Sequence, residues 1–160
     1  MTIIYRILSF LINLVALLFA VSLIIIIPVS LTFPALWFPA FLIIAIVLYT
    51  WFSNKFQQKV LLQRQVVKLS LRDWIRVNGF VAIGFSFLNI TPVISLLKDP
   101  SAYIKSSKEM MKNIKPGYED NFKDENVNIL GIVMLIYIIA LLVHVLWTFA
   151  LLKKNKDFFQ

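Results

Sequence analysis

The chain has 160 residues, 60% of them hydrophobic and 15% charged, with a mean hydropathy of +0.84, a balance that excludes an ordinary water-soluble domain. The net charge of +8 invites a nucleic-acid reading, but so apolar a chain leaves no aqueous face broad enough for a duplex footprint, and no nucleic-acid partner is expected. Cysteine is absent, which removes disulfides, thiolate metal sites, a cysteine nucleophile and cysteine-linked lipid.

From Ile7 to Asn54 no residue is charged, a run of 48 positions that is too long for one membrane span and suits two joined by a tight turn. The first span is expected at 7–27. Its 21 uncharged residues exceed the apolar region of a secretory signal and no small-x-small cleavage site follows, so it reads as a retained helix. Pro28, Pro34 and Pro39, with Ser30 and Thr32 between them, mark the end of that helix and the first turns of the next. The second span follows at 35–52. Trp37 and Phe38 at one end, and Tyr49, Trp51 and Phe52 at the other, take the aromatic positions of the two headgroup layers.

Residues 53–76 change character: Lys55, Lys59, Arg64, Lys68, Arg72 and Arg76 are opposed only by Asp73. Phe56, Val60, Val67, Leu71 and Trp74 share one helical face, which predicts a basic amphipathic segment, either lying in the interface or continuing the spans on each side. A third span is expected at 77–97, with Pro92 as a kink and with Gly79 and Gly84 available for close packing. The outer loop, 98–126, holds a short amphipathic helix. Asp99-Pro100-Ser101 reads as its start and Lys115-Pro116-Gly117 as its stop, with Ile104, Met111 and Ile114 along one stripe. The acidic residues between Tyr118 and Asn126 lack the spacing and turn glycine of a calcium loop and read as a solvated cap. The fourth span, 127–152, is closed by Lys153, Lys154 and Lys156. These elements predict one all-α membrane domain, an antiparallel bundle of four transmembrane helices, with no internal repeat.

Four spans put both termini beside the 53–76 loop. That side carries ten Lys and Arg against six on the other, which places the termini in the cytoplasm of a plasma (inner) membrane. Lys55, Lys59, Arg64, Lys68, Arg72, Arg76, Lys153 and Lys154 are then the candidates for contact with anionic lipid headgroups.

Within the spans there is no Asp, Glu, Lys or Arg, whereas proton-coupled transporters and many intramembrane enzymes need ionisable groups at depth. At about 1.5 Å per residue, Asn13, Tyr49, Ser86 and His144 fall within one layer of the inner half of the bilayer. They form the candidate polar cluster, read either as a solute or proton site or as hydrogen bonding that fixes helix register. A single histidine without an acidic neighbour lacks a metal-binding set, and neither a metal nor another cofactor is expected. No Gly-x-Ser-x-Gly elbow occurs and every acid lies in a loop, so no catalytic residue is assigned. The leading expectation is a non-catalytic accessory or interaction subunit, bound to a membrane protein or to copies of itself. The alternative is an oligomeric small-solute transporter or channel lined by Asn13, Ser86, Asn89 and His144; a headgroup-modifying enzyme has least support.

Overall fold

The computed structural model describes residues 3–105 and 124–160. Helix α1 spans Ile3–Thr32, a 3-10 turn follows at Pro34–Leu36, and α2 runs Trp37–Phe56 into a π turn at Gln57–Leu62. Helix α3 spans Leu69–Lys98, a further helix opens at 100 and is described to 105, α4 spans Asp124–Lys154, and a last 3-10 turn covers Lys156–Phe158. Four of these helical segments are long and apolar enough to cross a membrane. At 30 residues, α1 is about 45 Å long, enough for the hydrocarbon core with a turn to spare at each end.

Each helix extends past its expected span, α2 at its C-terminal end only. Pro28 sits inside α1, which ends only at Thr32. A proline removes one donor and strains the turn before it, yet the helix continues through it for four residues more. Pro34 then occupies the first position of the 3-10 turn, where its missing N–H is no loss.

The polar side chains of these apolar helices close largely on their own backbones. Ser9 donates to the Tyr5 carbonyl at 2.8 Å, Ser22 to Phe19 at 2.8 Å, Ser30 to Ile27 at 2.7 Å and Thr50 to Ile46 at 2.8 Å. The amides of Asn13, Asn78 and Asn155 each donate to the carbonyl four residues back at 2.8 Å. Such back-bonding removes the cost of carrying an unpaired donor into an apolar phase.

The chain forms two compact units. The first comprises Met1–Phe85 and Ala140–Gln160, with Ile12, Ile46, Phe56, Ile75, Leu141 and Leu152 among its buried side chains. In it the basic segment continues the spans at its two ends, α2 running to Phe56 and α3 from Leu69, and is not a single amphipathic helix. The π turn ends with the Gln63 N–H on the Gln58 carbonyl at 3.1 Å, Arg64 takes a left-handed backbone at φ 56°, and the chain is extended until α3 begins. The C-terminal residues hold this stretch: Val67 N–H bonds the Phe158 carbonyl at 2.8 Å, Gln160 N–H the Val67 carbonyl at 3.1 Å, and Leu69 N–H the Gln160 carbonyl at 3.0 Å. Phe159 is buried there and stacks on Phe56, with ring centroids 5.9 Å apart.

Gly79 lets α3 approach α4 closely. A Cβ at this position would meet the Phe149 ring at 2.7 Å and Val145 Cγ1 at 3.3 Å, whereas one at Gly84 would meet nothing within 4 Å. The Phe149 ring is itself engaged with Phe80, centroids 5.2 Å apart, and cannot simply swing away. Gly79→Ala is therefore expected to destabilise by about 1–3 kcal/mol through overpacking. Gly84→Ala is expected to be neutral or to gain up to about 1 kcal/mol of helix propensity. Thermal unfolding in detergent measures both, and equal effects would contradict the packing role of Gly79.

The second unit is Ser86–Ile139. Asp99 caps the helix that opens at 100, accepting from the Ser101 N–H at 3.1 Å and from the Ser101 hydroxyl. Those bonds, the hydroxyl first, hold the Asp99 carboxyl below the usual carboxylate range. The rest of the expected outer helix, with Met111 and Ile114, and most of the acidic stretch that follows lie outside the described residues.

Candidate functional site

Three helical segments of the first unit each bring two polar side chains, four residues apart, to one buried cluster: Tyr5 and Ser9 of α1, Tyr49 and Ser53 of α2, His144 and Thr148 of α4. Residues four apart share a helix face one above the other, so each pair presents its polar atoms in one column. Tyr5 Oη lies 2.9 Å from Thr148 Oγ1, and one turn along α1 Ser9 Oγ lies 2.9 Å from His144 Nε2, one turn back along α4. Tyr49 reaches both partners, with its Oη 2.8 Å from His144 Nδ1 and 3.1 Å from Thr148 Oγ1.

The protons of Thr148 and Ser9 can be assigned by elimination. Thr148 donates its hydroxyl to the His144 carbonyl at 2.7 Å, so its oxygen accepts from the tyrosines. Ser9 donates to the Tyr5 carbonyl, so its oxygen accepts from His144 Nε2–H. Tyr49 has one proton for its two neighbours, His144 Nδ1 and Thr148 Oγ1, so its oxygen is shared between them. Both nitrogens of the imidazole are engaged. Its ring is further fixed by Tyr5, which stacks on it at 5.0 Å and 11°, and by Tyr49, edge-on at 5.8 Å and 81°. Ser53 is buried against both tyrosines, and its hydroxyl has no hydrogen-bond partner among the described residues.

Of the expected polar cluster, Tyr49 and His144 meet directly. The Asn13 amide bonds instead to the Ser9 carbonyl, and the residue lines a groove of about 200 Å³ between α1 and α2 with Ala16, Ala20, Thr50 and Asn54. Ser86, buried, and Asn89, half-buried, belong to the second unit. Tyr5, Ser9, Ser53 and Thr148 are members that the depth argument missed; their signal was the four-residue spacing of Tyr5 from Ser9, of Tyr49 from Ser53 and of His144 from Thr148. Among the described residues, no three His, Cys, Asp or Glu side chains come together as a metal site.

The candidate lipid-facing cations separate into groups. Lys55, Lys59 and Lys68 line one cavity of about 390 Å³. Arg64 and Lys154 line another of about 110 Å³, and the Arg64 guanidinium also lies over the Phe158 ring at 5.9 Å. Arg72 pairs with its neighbour Asp73 at 3.3 Å, while Arg76 and Lys153 are exposed.

Compared with known protein families, with curated proteins and with solved structures, the chain matches none.

Proposed function

We propose that the chain is a multi-pass membrane protein without catalysis, an accessory or interaction subunit built as an antiparallel four-helix bundle. The observation that carries this reading is the state of His144, the one histidine of the chain, whose two ring nitrogens are both used in bonds to α1 and α2. Ser9 spends its proton on the Tyr5 carbonyl and so is not held by the ring as a nucleophile, and the histidine ties three helices together. The reverse order in which Tyr5 and Ser9 meet Thr148 and His144 is what antiparallel packing requires. Its outward surfaces, rich in exposed Ile, Leu, Phe and Val, are left for lipid, a membrane-protein partner or further copies. The ten-to-six distribution of Lys and Arg supports cytoplasmic termini in a plasma (inner) membrane.

Two measurements test this. Purified protein in liposomes is expected to conduct no ion and move no small solute, and a flux abolished by His144→Ala without loss of thermal stability would overturn the proposal. Native mass spectrometry after mild extraction is expected to find a stoichiometric membrane partner or a defined homo-oligomer; a bare monomer throughout would count against an accessory role.

A further inference from the structure

Three lysines converge on one cavity at the charged end of α2 and α3. Lys55 lies in the last turn of α2, Lys59 four residues on in the π turn, and Lys68 on the extended stretch held by the C-terminal residues. They line a space of about 390 Å³ together with Ser70, and among the described residues no Asp or Glu lines it. Among the described residues none of the three is in an ion pair, the nearby Asp73 being engaged by Arg72. Three like charges around one cavity repel each other until an anion sits between them.

The remaining lining, Ser70 apart, is an apolar wall. Phe52, Leu71 and Trp74 belong to it, and Phe52 continues a stack of rings, 5.8 Å from Trp51 and 5.7 Å from Trp74. Trp51 and Trp74 are 64% and 51% exposed, which suits the headgroup layer, where an indole is half in lipid and half in water. A free phosphate would satisfy the lysines and leave this wall bare. The geometry points to a seat for one anionic phospholipid, its phosphate held by Lys55, Lys59 and Lys68 and its acyl chains running past Phe52 and Trp74. A zwitterionic headgroup fits worse, because its ammonium would enter the lysine ring. This inference rests on the helices spanning a membrane, and it goes beyond a diffuse attraction of the basic face by naming three cations out of ten and one bound molecule.

The test is titration of the full chain in detergent with phosphatidylglycerol, phosphatidylcholine and glycerol phosphate, read by native mass spectrometry. One phosphatidylglycerol is expected to bind, well ahead of the other two. Each lysine near an anionic headgroup is worth about fivefold in affinity, so the combined variant Lys55→Ala, Lys59→Ala, Lys68→Ala is expected to lose about a hundredfold. The charge-matched variant Arg76→Ala, Lys153→Ala, Lys156→Ala, whose positions do not line the cavity, is expected to lose less than fivefold. Trp74→Ala is expected to weaken phosphatidylglycerol and leave glycerol phosphate unchanged. Equal losses in the two triple variants would overturn the site in favour of diffuse attraction, and glycerol phosphate binding as well as the lipid would overturn the lipid assignment. All the altered side chains are exposed, so melting temperatures should hold, and a change confined to the lysine triple would mean a structural role instead. Reconstitution in nanodiscs separates the two levels: a chain that fails to insert contradicts the spanning reading, and one that inserts without binding contradicts only the site.

Discussion

Replacing Phe159 with alanine is expected to destabilise the protein by about 3–5 kcal/mol, the range for deleting a buried phenyl ring. The side chain is 7% exposed and its ring is stacked on Phe56, which is itself fully buried at the end of α2. Around it, three backbone bonds of 2.8–3.1 Å join residues 158–160 to Val67 and Leu69. Loss of the ring therefore releases the extended stretch as well as the tail, and the first amides of α3 lose their cover. Phe158 is the internal control. It is half-buried beneath Arg64, and its replacement should cost about 1 kcal/mol, the scale of an exposed cation–π contact. Denaturant unfolding in detergent measures both, and hydrogen exchange at 67–69 should accelerate in the Phe159 variant alone. Indistinguishable variants would mean that the tail does not hold the fold.

The second large effect is expected at the buried network. His144→Ala removes a ring that touches Tyr5 and Tyr49 and leaves a cavity, so about 2–5 kcal/mol of stability should be lost. Thr148→Val keeps the volume but removes the acceptor of both tyrosines. Tyr49 can still bond Nδ1, whereas Tyr5 is left with an orphaned hydroxyl, at a cost of about 1–3 kcal/mol. A double-mutant cycle of His144→Ala with Tyr49→Phe should give a coupling of about 0.6–1.7 kcal/mol, as measured for hydrogen bonds between membrane helices. Zero coupling would remove the histidine as the tie between α2 and α4.

The four apolar helices were legible in the sequence because long uncharged runs announce them, but their ends were not. The expected first span stops at Arg6, where charge begins, while the helical backbone continues through it to Ile3. The basic segment was legible only at its ends, which continue α2 and α3, and for a different reason. Its apolar residues do follow helical spacing, yet the non-helical stretch at 65–68 is held by Phe158 and Gln160 from the far end of the chain, and local periodicity carries no trace of such a partner. At the polar cluster, depth alone matched Tyr49 with His144. It could not foresee that the Asn13 amide would bond to a carbonyl of its own helix, because that local alternative competes with every interhelical contact such an amide can make.

That same back-bonding bears on how the protein assembles. Ser22, Ser30, Asn13, Thr50 and Asn78 have their donors paired inside the helix that carries them, before any neighbour arrives. Each helix can thus enter a bilayer singly without bringing most of its polar hydrogens in unpaired. Tyr5, Tyr49 and the imidazole of His144 are different, since their bonds run only between helices. Insertion and association are therefore governed by separate sets of residues, and it is at the second step that a wrong pairing of helices leaves a donor stranded.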